Sequence, residues 1–91
     1  MRVVMDRIKQ GEILVCDGAM GSLLMDRAKE HLQGTCPESI NLSHPEIIEE
    51  IAALYINAGA DIIETNTFGG SPLKLASYSL DDKTEEINRA A

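Results

Sequence analysis

Aromatic residues are almost missing from this chain: one Phe, two Tyr and no Trp make up 3% of its 91 residues. Any core must therefore be aliphatic. Basic clusters are missing too. Lys and Arg number 8 against 15 Asp and Glu, a formal net charge of −7, which argues against a nucleic-acid or anionic-membrane surface. No apolar run approaches the roughly 20 residues that span a bilayer. The opening Met1-Arg2-Val3-Val4-Met5-Asp6-Arg7-Ile8 is charged and lacks the apolar stretch of a signal peptide. A cytoplasmic location is the resulting expectation. There are two cysteines, Cys16 and Cys36, and no Cys-x-x-Cys pair. Cys16 falls in an apolar run, where a buried thiol behaves as a small hydrophobe. Cys36 with His31 and His44 would be the one conceivable metal cluster, but its spacings match no standard site.

Enough apolar residue remains to fold. Hydrophobic content is 44%, ordinary for a globular chain, and the length allows one domain at most. The scattered acidic residues read as solvated helix faces.

The run from Ala58 to Gly70 is the most informative. It holds a helix end, a short strand at 61–65 with adjacent Ile62 and Ile63, and the polar exit Thr65-Asn66-Thr67. Adjacent isoleucines suit a strand covered on both faces, as in a parallel sheet. In parallel α/β folds, ligands sit at the carboxyl ends of strands. A second such exit comes earlier. Ile13-Leu14-Val15-Cys16 runs into Asp17-Gly18-Ala19-Met20-Gly21-Ser22 and then apolar Leu23-Leu24-Met25. That order reads as strand (13–17), tight turn and helix start. Glycines there allow a ligand close to the backbone, and a helix N-terminus favours an anion. The plainer reading is that Asp17 and the glycines only make the turn.

Between these exits the pattern predicts a helix over 2–10 ended by Gly11, with Val4, Met5 and Ile8 on one side. A short helix over 21–28 follows, with Leu24 and Met25 inward, and then a long polar loop over 29–43. The clearest helix is 45–57. Apolar residues fall at 47, 48, 51, 54, 55 and 58, Ser43 and Glu46 have capping-box spacing, and Gly59 terminates it. A helix over 72–78 capped by Ser71 follows. A last helix starts at Asp81 or Asp82, with Glu85 placed for a cap, and stops in mid-pattern at Ala90-Ala91. Two parallel strands make no stable sheet alone. The chain therefore reads as the opening βα units of a larger α/β domain, the first quarter or third of one.

Three ordered motifs carry a family resemblance: Asp17-Gly18-Ala19-Met20-Gly21; Asn41-Leu42 with Pro45-Glu46 and Ile48; and Ala58-Gly59-Ala60-Asp61-Ile62-Ile63 with Thr65-Asn66-Thr67-Phe68-Gly69. From about residue 12 onward the chain resembles the start of the homocysteine S-methyltransferase domain. Ser22 stands where the related pattern has Thr, which keeps the hydroxyl. The resemblance implies a (β/α)8 barrel, incomplete in this chain, and transfer of a methyl group to the homocysteine thiol to give methionine. It implies zinc in the complete domain, held by three cysteines from later strands. Through other domains it implies cobalamin and methyltetrahydrofolate.

It also assigns substrate binding to Asp17, Gly18, Ala19, Thr65, Asn66, Thr67 and Phe68. Asp17 and Gly18 would hold the amino-acid end of homocysteine, and 65–68 would line the barrel top. Neither Cys16 nor Cys36 matches a zinc ligand of the family. No catalytic or metal-binding residue is therefore expected here, and the chain alone should be inactive and should self-associate. Two other readings stand beside this one. One is a different (β/α)8 enzyme using Gly18 to Ser22 as an anion cradle, weakened by the lack of a Lys or Arg in that loop. The other is a stand-alone interaction module.

Overall fold

The computed structural model describes residues 3–91. The α-helices are α1 (Val4–Lys9), α2 (Gly21–Arg27), α3 (Ile40–Ser43), α4 (Pro45–Asn57), α5 (Pro72–Ala76) and α6 (Thr84–Ala90). Single 3-10 turns lie at Lys29–His31, Pro37–Ser39 and Asp81–Lys83. Arg2, where the first helix was expected to begin, lies outside the described residues.

The longest helix is the one with the clearest apolar spacing. Pro45 opens α4, where its missing N–H removes no hydrogen bond. Ile51 is fully buried, and Ile47, Ile48 and Tyr55 pack against the same cluster, while Leu54 faces outward. Gly59, at φ 109°, closes the helix. Its N–H bonds the Ile56 carbonyl, and the Ala60 N–H reaches back to Tyr55, both at 3.0 Å. This double closure is a Schellman motif, which needs a left-handed residue at that position.

The start of α4 differs from expectation. His44, not Ser43, precedes the helix, and no side chain caps it. Ser43 ends α3 instead, and its hydroxyl donates to the Ser39 carbonyl. The expected loop over 29–43 is thus largely short helical turns. The closing helix also lacks its expected cap. Asp81 and Asp82 lie in a 3-10 turn, and Thr84, whose hydroxyl bonds the Asp81 carbonyl at 2.7 Å, starts α6. Ser71 does cap α5, accepting from the Lys74 N–H at 3.2 Å, but that helix ends at Ala76.

The two expected strands are reduced to one parallel bridge, Cys16 to Ile62, and no strand forms among the described residues. The segments still run side by side. Asp61 N–H reaches the Val15 carbonyl (2.8 Å), and Asp17 N–H reaches that of Ile62 (2.9 Å). A parallel pair needs neighbours to extend its ladder and cover its faces, and the described residues supply no further strand. Ile13 is therefore 90% exposed, and Val15, Cys16 and Ile63 are exposed too. Cys16 and the isoleucines are not buried as their apolar context suggested. Met25, expected inward, is also exposed.

Two small cores form instead. Leu24, Ala28, Ile40 and Ile51 make one, flanked by Met20, Leu23, Leu32, Ile47, Ile48 and Tyr55. Cys36, Leu75 and Ile87 make the other, with Leu80 against it. α3 touches both α4 and α6 and so joins the two. The result is extended. The radius of gyration is 15.0 Å, against about 12 Å for a compact chain of this length. Helix α1 buries no residue, and Val4, Met5 and Ile8 are all exposed. It is tied down by charge. Arg7 Nη2 bonds Asp61 Oδ1 at 2.8 Å, and Asp61 Oδ2 accepts the Val15 N–H at 3.1 Å.

Candidate functional site

The parallel bridge puts the ends of both segments together. Beyond it, a cavity of about 310 Å³ opens, lined by Asp17, Gly18, Thr65, Asn66, Thr67 and Phe68. Six of the seven residues expected to bind substrate thus meet at one place. Ala19 is the exception, lying off the lining with its carbonyl accepting from the Tyr55 hydroxyl at 2.6 Å.

Each side chain has its own setting. Asp17 Oδ2 accepts the Glu64 N–H at 2.9 Å, which fastens the first exit to the second. Its Oδ1 has no donor among the described residues. The Thr65 and Thr67 hydroxyls bond one another at 2.9 Å, and the Thr67 N–H returns to the Thr65 carbonyl, also at 2.9 Å. This tight turn points Asn66 inward, 5% exposed. Phe68, by contrast, is fully exposed at the cavity rim.

Asn66 is held by the fold. Its Nδ2 donates to the Pro37 carbonyl (3.0 Å) and to Asn41 Oδ1 (2.9 Å). Asn41 Nδ2 in turn donates to the Asn66 carbonyl (2.8 Å) and to that of Ile87 (3.3 Å). Every member of this buried group has a partner, so it rigidifies the exit. Asn88 extends the same anchoring to the Gly70 carbonyl at 2.7 Å.

Sequence reasoning missed Glu38. It lies in the segment expected to be loop, yet it is only 6% exposed and lines the cavity. Its Oε2 accepts the Gly69 N–H at 3.2 Å. A Cβ on Gly69 would lie 2.8 Å from Glu38 Oε1, so a larger residue there would displace the carboxylate. Nothing local marks Glu38, since an acid in a polar stretch reads as solvated. Asn41 did carry a signal, as part of the second motif.

Metal chemistry finds no donor set here. Among the described residues, no group of three or more His, Cys, Asp or Glu could hold a metal ion. His31 and His44 stack at 3.7 Å between ring centroids. Cys36 is buried in the Leu75–Ile87 core, and Cys16 is exposed elsewhere. The three-cysteine zinc site implied by resemblance does not fit the residues present. No helix among the described residues is long and apolar enough to cross a membrane.

The chain is 38% identical over 82 residues to a methionine synthase of Mycobacterium leprae (strain TN), covering 85% of this chain. It is 36% identical over 81 residues to a methionine synthase of Mycobacterium tuberculosis (strain ATCC 25618 / H37Rv), again over 85% of the chain. The aligned part spans 7% of the length of each of these curated relatives. No solved structure matches. The homocysteine S-methyltransferase family profile matches residues 14–91, and the chain belongs to that family.

Proposed function

We propose that this chain is a segment of a longer enzyme that transfers a methyl group to the thiol of homocysteine, giving methionine. In this reading its two segment ends form part of the homocysteine pocket at the top of a (β/α)8 barrel. The observation that carries the reading is the convergence of Asp17, Gly18, Thr65, Asn66, Thr67 and Phe68 on one cavity. Family membership and a parallel bridge closed by intervening helices support it.

Within the pocket, Asp17 offers Oδ1 to the amino-acid end of the substrate while Oδ2 holds the Glu64 N–H. Gly18 presents bare backbone beside it. Asn66 orients the turn that carries the Thr65 and Thr67 hydroxyls and the Phe68 ring. Thiol activation by zinc would require ligands from outside this chain, so no step is assigned here to Cys16 or Cys36. Cobalamin and methyltetrahydrofolate would likewise be held by other domains, and the chain alone would be inactive. An anion cradle at Gly18 to Ser22 is disfavoured. Among the described residues, the cavity lining contains Asp17, Glu38 and Glu64 and no Lys, Arg or His.

The test is Asp17→Asn in the full-length protein. It should weaken homocysteine binding by about 10-fold or more, the scale of a hydrogen bond to a charged group, with the fold intact. Unchanged affinity by calorimetry would overturn the role of Asp17.

A further inference from the structure

Tyr55, near the end of α4, is half-buried and packs against the core of Leu24, Ala28, Ile40 and Ile51. Its hydroxyl donates to the Ala19 carbonyl at 2.6 Å, across 36 residues of sequence. Its ring edge lies against Gly18. An added Cβ there would stand 3.0 Å from the hydroxyl oxygen and 3.2 Å from the nearest ring carbon. The Tyr55 carbonyl accepts the Ala60 N–H at 3.0 Å, one of the two bonds that close α4 before the second segment. A single residue of the longest helix thus touches the turn that leaves the first segment and fixes the entry to the second. Tyr55 itself does not line the cavity, whereas Asp17 and Gly18 do.

We propose that Tyr55 is a positioning residue for the pocket, acting through the Asp17-Gly18-Ala19 turn. The proposal rests on the homocysteine reading of the cavity and adds what fixes the shape of its first wall. A glycine turn has many accessible conformations, and a ligand that must order such a turn binds more weakly. Here the turn is held at both ends. Asp17 is fastened to the second segment, by its N–H on the Ile62 carbonyl and by its Oδ2 on the Glu64 N–H, both at 2.9 Å. Ala19 is fastened to α4 by the Tyr55 hydroxyl. Gly18 spans the two fixed points with the ring beside it. Core packing locates the ring, so the turn holds its shape before a ligand arrives.

A double-mutant cycle of Tyr55→Phe with Asp17→Asn in the full-length protein tests this, with homocysteine binding read by calorimetry. Tyr55→Phe keeps the ring in the core and beside Gly18 and removes only the bond to Ala19. It should raise the Kd for homocysteine about 3- to 10-fold, the scale of one neutral hydrogen bond. With Asp17→Asn already present, the same change should raise the Kd by about 2-fold or less, because the contact that the turn positions is gone. An equal rise in both backgrounds would mean that Tyr55 acts independently of the turn, and would overturn the proposal. So would an unchanged Kd in Tyr55→Phe with a lowered melting temperature, since the hydroxyl would then only brace the fold. If Asp17→Asn alone leaves the Kd unchanged, the role of Asp17 in the pocket fails, and the positioning role built on it fails too.

Discussion

Asn41 and Asn66 carry more of the site than their chemistry as ligands would suggest. In a buried setting the Asn66 amide donates to Asn41 Oδ1 and the Pro37 carbonyl, and the Asn41 amide donates to the Asn66 and Ile87 carbonyls. Asn41→Ala would leave the Asn66 and Ile87 carbonyls without their donor. Each orphaned buried group costs about 1–3 kcal/mol, so unfolding should occur at clearly lower denaturant. An unchanged midpoint would show that water replaces the amide. Gly69→Ala is the companion case. Its Cβ would fall 2.8 Å from Glu38 Oε1, forcing the carboxylate off its turn. It should lower the melting temperature, and Glu38→Ala in the same background should restore part of the loss. The motif holding Asn66 was legible as a polar strand exit, whereas Asn41 stood out only through the family resemblance. Glu38 was not legible, since its burial depends on Gly69, thirty-one residues away.

At the level of elements, α4 was legible almost to the residue. Its signals are local: apolar spacing, Pro45, and Gly59 at its end. Replacing Gly59 by Ala should cost roughly 1 kcal/mol, because φ there is positive. A neutral effect in thermal melts would contradict the Schellman geometry. The segments at 13–17 and 61–65 were legible in direction but not in burial. An apolar run records what a strand needs, while burial depends on neighbours the described residues do not supply. The cap at Ser43 was misread because α3 immediately before it engages that hydroxyl.

Helix α1 responds to pH in a defined direction. Arg7 holds the Asp61 carboxyl below its ordinary value, with the Val15 N–H adding to the effect. A lowered carboxyl contributes stability above its unfolded pKa and loses it as pH falls through the folded value. The link between α1 and Asp61 should therefore hold at neutral pH and loosen only below about pH 4. Arg7, raised above its own ordinary value, stays charged throughout. Chemical shifts of α1 followed on acidification check this, and a transition near neutrality would contradict it.

For the whole molecule, the open shape and exposed aliphatic residues define behaviour. Ile13, Val15, Ile63, Phe68 and Leu73 are all exposed, and among the described residues nothing else bridges to either edge of the pair. Such edges recruit partners. The isolated 91-residue chain should associate at micromolar concentration, as sedimentation would reveal. A cooperatively folded monomer would favour a stand-alone module instead. The same purified chain should carry no stoichiometric zinc, which elemental analysis decides.

The central claim is that the cavity between the two segment ends binds homocysteine. Hydrogen exchange of the full-length protein, followed by mass spectrometry with and without homocysteine, tests it most directly. Slowed exchange is expected in peptides covering 17–21, 36–41 and 64–69, with 4–10 unchanged. Homocysteine-dependent protection that leaves those three segments untouched would contradict the account.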